Sequence, residues 1–158
     1  MPRRPRRSRP PRPGRKLVGL DLGERRIGIA VSDDTGIIAS PDRIVDLQRG
    51  GLADIVARVR EVAADGVVVG LPVSLSGDEG FQARATRAQA AELETLLDVP
   101  VVFWDETLTS AIADRALEQA GKRARDRRIQ RDAIAAAIML QSYLDEHPLR
   151  TDSPADEW

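Results

Sequence analysis

The 158-residue chain contains no cysteine, which excludes a disulfide framework, a thiolate zinc site and a cysteine nucleophile. That composition fits a reducing compartment, and a cytoplasmic location is the expectation. The single histidine, His147, lies in the acidic stretch Asp145-Glu146-His147 near the C-terminus. With no second histidine and no Gly-x-Ser-x-Gly motif, serine–histidine nucleophilic catalysis has no parts to work with. Gly121-Lys122 is followed by Arg123 rather than Ser or Thr, so there is no Walker A loop. No run approaches the roughly 20 apolar residues of a membrane-spanning helix, and the N-terminus lacks the apolar core of a secretory signal. No membrane partner is expected. Aromatic residues are few: two tryptophans, two phenylalanines and one tyrosine. A nucleic-acid partner would then be recognised by its shape and backbone more than by base stacking.

Charge is unevenly placed. The formal net charge is −1, yet residues 1–16, MPRRPRRSRPPRPGRK, hold eight of the 24 basic residues and no acid. Five prolines in the same stretch oppose both helix and central strand. Residues 1–15 therefore read as a disordered basic arm suited to a polyanion, of which nucleic acid is the commonest. Residues 16–146 read as one folded domain, large enough for its own core, and residues 147–158 as an acidic flexible tail.

Within that domain the hydrophobic period changes along the chain. Lys16–Leu22 and Arg25–Asp33 read as strands, the second alternating Ile27, Ile29 and Val31 with Gly28, Ala30 and Ser32. Asp33-Asp34-Thr35-Gly36 is a turn, and Ile37–Leu47 a third strand, interrupted or edged by Pro41. Leu52, Ile55, Val56, Val59 and Val62 then fall at helical spacing, with Gly66 as the stop. GVVVGLP (66–72) is an apolar run of the kind buried on both faces of a parallel sheet. Ser76 and Glu79 have the form of a capping box opening a helix to about Leu97, and PVVFWDE (100–106) is another buried strand. A helix is expected from about Thr109 to Ala120, then a basic connector GKRARDRRIQR (121–131). A last helix, from about Ile129 to Glu146, is apolar nearly all round and therefore buried. The order β-β-β-α-β-α-β-α-α describes an α/β protein: a mixed sheet, three antiparallel strands then parallel ones, with helices on both faces.

Carboxylates stand at three places where they are costly or useful. Asp21 interrupts the apolar strand VGLDLG and shares its face with Gly19, opposite Gly28 and Ala30. A face so poor in side chains admits the close approach of a helix, a ligand or a phosphate. Asp105 and Glu106 stand where VVFW runs out, at the carboxyl end of a parallel strand, where open α/β sheets place ligands. Asp132 opens the buried helix, next to Ala135, Ala136 and Met139 on one face. An aspartate near a helix start is favoured by the helix dipole alone. If all three met, they would repel unless hard cations bridged them. Two such ions activate water and stabilise the leaving oxygen in phosphodiester hydrolysis.

The stretches GLDLGERRIGIAVSD, VVVGLPVSLSGDEG, WDETLTS and RDAIAAAIMLQSYL resemble, in order and spacing, the signature blocks of the YqgF/RuvX family. These are bacterial RNase H-like proteins described as Holliday-junction resolvases and as pre-16S ribosomal RNA nucleases. The resemblance spans about Lys16 to Leu144. It implies an RNase H-like fold and hydrolysis of a nucleic-acid phosphodiester with Mg²⁺ or Mn²⁺, most naturally in maturation of the 16S rRNA precursor. It carries the catalytic and metal-binding roles onto Asp21, Glu106 and Asp132, with Asp105 as a further metal ligand. In the family an arginine usually follows the Asp-Glu pair, whereas Thr107 stands here. Arg87, Lys122, Arg123, Arg125 and Arg128 are the candidates for contacting the nucleic acid instead. In related resolvases a key glutamate follows the fourth strand; that strand here ends in Leu71-Pro72, which leaves the work to Glu106. The partner implied is precursor rRNA or branched DNA, and a monomer or weak homodimer is the expectation. Two rivals stand beside this reading. Asp21-Leu22-Gly23 also resembles the phosphate loop of actin- and hexokinase-like ATPases, but those need two such domains. A non-catalytic RNA-binding assembly factor would need only the arm and the 121–131 cluster.

Overall fold

A computed structural model of the chain describes residues 16–71, 80–105 and 124–147, with the backbone alone at 81–82 and 124–130. Five strands, β1 (Leu17–Leu22), β2 (Arg26–Ser32), β3 (Ala39–Asp46), β4 (Gly66–Leu71) and β5 (Val101–Asp105), form one sheet in the order β3-β2-β1-β4-β5. β1–β2 and β2–β3 pair antiparallel, β1–β4 and β4–β5 parallel. The mixed sheet read from the sequence is therefore the observed one. β1 lies at its centre and β4 is buried along its whole length, as its unbroken apolar run requires.

β3 is an edge strand, which is why it tolerates Pro41. Its register on β2 skips a residue between Arg43, opposite Ile29, and Pro41, opposite Ala30. The residue left over is Asp42. Its carboxylate takes both Nε (2.8 Å) and Nη2 (2.7 Å) of Arg58, so the bulge ties the edge strand to α1 (Gly51–Glu61). Those hydrogen bonds also raise the Arg58 pKa above its ordinary value.

The helices cover both faces. α1 and α2 (Phe81–Leu96) close one core, in which Leu20, Ile27, Ile29, Val67 and Val69 meet Ile55, Val59 and Leu93. On the other side α3 (Ala124–Glu146) lies across β1, β2 and β3, and Ala136, Met139, Leu140 and Tyr143 pack with Leu17, Ala30 and Val68. No helix among the described residues is long and apolar enough to cross a membrane.

Three boundaries differ from the sequence reading. α1 does not run on to a stop at Gly66. Ala63 adopts φ 53°, and its N–H and that of Ala64 bond back to the carbonyls of Arg60 and Val59, a Schellman cap built on alanine. Gly66 starts β4, as the apolar run from 66 reads. α2 begins at Phe81 with Gly80 as its N-cap, later than a capping box at Ser76 requires; residues 76–79 lie outside the described set. α3 begins at Ala124, so the connector drawn over 121–131 is from there on helix. Arginine and lysine are good helix formers, and a basic run is not in itself a loop signal. The helix expected at 109–120 lies outside the described residues. His147, placed with the tail, stacks on Tyr143 at 4.1 Å between ring centroids, and Trp104 meets both edge-on.

Candidate active site

The site forms where α3 crosses the small-residue face of β1 and β2. Alternation puts Leu17, Gly19 and Asp21 on that face of β1, and Arg26, Gly28 and Ala30 on that face of β2, with Asp21 directly opposite Gly28 in the register. Both glycines are occupied by the helix rather than by open space. A Cβ at Gly19 would lie 2.8 Å from Leu140 Cβ and 3.3 Å from the Ala136 carbonyl oxygen. At Gly28 it would overlap the Asp132 carbonyl group and lie 2.9 Å from the Ala133 nitrogen. The backbone at Asp132 therefore rests on the strand residue paired with Asp21. The strand position of Asp21 and the helix position of Asp132, 111 apart in sequence, thus lie at one patch, each residue only partly exposed.

Asp132 is well inside α3, eight residues beyond its first, so the dipole at a helix start does not account for it. Burial pushes its pKa above the ordinary value, while the charges of Arg26 and Arg131 pull the other way. The Arg26 Nε stands 3.7 Å from Asp132 Oδ2, an ion pair too long for a hydrogen bond. Arg26 is the functional candidate that sequence reasoning overlooked. The signal was its alternation with Gly28 and Ala30, which puts it on the same face as Asp21.

The other candidates are placed differently. Asp105 ends β5 opposite Leu71 and is exposed; alternation gives it the face of Val101 and Phe103, which pack with the α1–α2 core. The Arg87 guanidinium lies over the Phe103 ring, 4.7 Å from its centroid, so it too stands on the side of the sheet away from Asp21 and Asp132. Arg125 and Arg128 lie in the first two turns of α3, seven and four residues ahead of Asp132. Glu106, Thr107, Lys122 and Arg123 lie outside the described residues. Among the described residues, no three His, Asp or Glu side chains form a group ready to hold a metal ion.

A sheet with three antiparallel strands followed by two parallel ones, an aspartate on its central strand and a second on the helix across it define an RNase H-like protein. Solved structures share that fold. RuvC of T. thermophilus in complex with a Holliday junction substrate matches with a TM-score of 0.52 at 14% identity, over 84% of this chain and 98% of that one. Fowlpox virus resolvase with its Holliday junction DNA gives 0.54 at 11%, over 83% and 97%. Within that class, the sequence model of the family described as "RuvX: Holliday junction resolvase" matches residues 15–146, and the chain belongs to that family. A protein of Rhodobacter capsulatus is 43% identical over 131 residues, 82% of each chain. One of Anaeromyxobacter dehalogenans is 43% identical over 134 residues, 82% of this chain and 96% of its own. Both carry the name "Putative pre-16S rRNA nuclease".

Proposed function

We propose that this protein is a divalent-metal-dependent endonuclease that hydrolyses a nucleic-acid phosphodiester bond, with the 16S rRNA precursor as its substrate. What supports the reading is the packing of the Asp132 backbone on Gly28, the register partner of Asp21, in a chain whose relatives are named as nucleases. The donor set fits a hard cation, because it offers carboxylate oxygens and no sulfur or imidazole. A partly desolvated Asp132, whose ion pair to Arg26 is long, gains from a closer positive charge. Asp21 and Asp132 would hold the ion, with Glu106 as the third carboxylate; Asp105, on the α1–α2 side of the sheet, is no ligand in this reading.

When bound, Mg²⁺ or Mn²⁺ supplies an activated water and charge stabilisation at the leaving oxygen. The protein's own contribution is position. Asp21 is fixed by a strand hydrogen-bonded on both sides. Asp132 is fixed by a helix whose far end is tied to the sheet, Gln141 accepting from the Ala39 N–H and donating to the Ile37 carbonyl. Lys122, Arg123, Arg125, Arg128 and the basic residues of 1–15 are assigned to the phosphate backbone, where they add affinity that falls with salt; Arg87, over Phe103 on the other side of the sheet, is left out.

A second reading, cleavage of branched DNA, is favoured by the description of the matching family. One experiment tests both. Labelled 16S precursor and four-way DNA junctions are incubated with wild type and Asp21→Asn, with and without Mn²⁺. Metal-dependent cutting of the RNA, lost in the variant, is expected. Cutting of the junction alone moves the protein to the second reading. Binding of either without any cutting leaves a non-catalytic assembly factor.

A further inference from the structure

We propose that Arg26 is a switching counter-charge, which holds the Asp132 carboxylate until a divalent cation takes it and then turns to a phosphate of the bound nucleic acid. The proposal rests on the metal-dependent nuclease reading and adds to it a residue and an order of events. Arg26 opens β2 and faces α3, two residues from the glycine on which Asp132 rests. Its Nε is 3.7 Å from Asp132 Oδ2, close enough for attraction and too far for a hydrogen bond. The pair is therefore held by charge and not by a fitted geometry. The two ends differ in freedom: the Arg26 side chain is 43% exposed and that of Asp132 24%. Asp132 is fixed by the helix backbone packed on Gly28, whereas the guanidinium can swing into solvent while its stem stays on the strand.

Two nearby carboxylates repel when no cation is present, and Arg26 offsets part of that charge. A divalent ion approaches the same carboxylate more closely and with twice the charge, so it displaces the guanidinium. The released fork then lies beside the ion, where the substrate's phosphates must come, and its planar donors suit phosphate oxygens. Release of the arginine and arrival of the substrate are thus coupled through a single carboxylate.

Arg26→Gln and Arg26→Lys test this with readouts that need no turnover. Mn²⁺ affinity is measured calorimetrically on the protein alone. Binding of an RNA with non-hydrolysable linkages is followed across a salt series, with and without Mn²⁺. Removing the competitor should tighten Mn²⁺ binding about fivefold in Arg26→Gln, the factor expected for loss of a weak ion pair, and Arg26→Lys should restore most of the wild-type value. The slope of log affinity against log salt should fall by about one phosphate contact in Arg26→Gln when Mn²⁺ is present and stay unchanged without it. Unchanged or weaker Mn²⁺ affinity, or an equal loss of slope in both conditions, overturns the switch and leaves Arg26 an ordinary surface charge. Asp21→Asn in the same titration separates the two claims. If it abolishes Mn²⁺ uptake while Arg26→Gln matches wild type, only the switch fails. If wild type itself takes up no Mn²⁺, the metal reading fails and the switch with it.

Discussion

Gly28→Ala is the smallest change that separates the two aspartates. The added methyl would lie 2.9 Å from the Ala133 nitrogen and closer still to the Asp132 carbonyl, where ordinary contact begins at about 3.4 Å. Both obstacles are backbone, so no rotamer change relieves them. β2 cannot retreat, because it is hydrogen-bonded to β1 and β3 on either side. The far end of α3 is held by Gln141 and by the Trp104–Ser142 hydrogen bond. The N-terminal half of α3 must therefore lift from the sheet, carrying Asp132 with it by on the order of 1 Å. Overpacking of this kind costs about 1–3 kcal/mol, or roughly 3–10 °C in melting temperature for a domain of this size. A displacement of about 1 Å at a reacting centre costs on the order of 100-fold in rate. Thermal melting paired with single-turnover cleavage of the 16S precursor measures both. Gly19→Ala is the internal comparison. It meets a Leu140 side-chain atom at 2.8 Å, two turns further along α3, and should lose stability with a smaller loss of rate. The reasoning is refuted if Gly28→Ala melts and cleaves like wild type, or if Gly19→Ala loses more activity than Gly28→Ala.

Three further outcomes are expected. Ala63→Gly should stabilise the protein by about 0.5–1 kcal/mol in denaturant unfolding, since glycine takes the left-handed C-cap conformation without strain. Asp42→Ala should cost about 1–2 kcal/mol, because it strips the Arg58 guanidinium of two short hydrogen bonds at a partly buried site; Glu61 alone then remains to pair with Arg58. Asp132 gives a pH signature. Burial raises its folded pKa above the ordinary value of 3.8, so the folded state binds the proton more tightly than the unfolded chain, and stability falls as pH rises through the folded value. In cation-free buffer Asp132→Asn should melt at or above wild type near pH 7, with the two curves converging below about pH 4. A gap that widens on acidification contradicts that sign.

Strand alternation made the face beneath α3 legible. It assigns Asp21, Gly19, Gly28 and Ala30 to one poorly filled face, and the helix that fills it is the one whose apolar pattern says it is buried. The layer order of the sheet was equally plain, because the switch from alternating to continuous apolar strands marks the change from antiparallel to parallel pairing. The start of α3 was not legible. Lys122 to Arg131 carries no period, and its basic side chains are compatible with helix or loop, so the pattern alone puts Asp132 at a helix end, whereas it lies past the second turn. The Schellman cap at Ala63 was hidden for a different reason. Tertiary structure imposes a left-handed conformation on a residue whose intrinsic preference is against it. The Arg26–Asp132 pair joins residues distant in sequence, and only the packing of α3 on β2 brings them together.

The central claim is that Asp21 occupies a central strand because a cation neutralises it. The most direct measurement is the rate of 16S precursor cleavage by wild type and Asp21→Asn across a Mn²⁺ titration, with thermal melting recorded on the same samples. Asparagine keeps the size and polarity of the side chain and removes the charge that would hold the ion. Cleavage should be lost at every Mn²⁺ concentration, and the Mn²⁺-induced rise in melting temperature should disappear, while the cation-free variant still folds. Cleavage at the wild-type rate, or a variant that fails to fold, would contradict the account and make Asp21 a residue of the core.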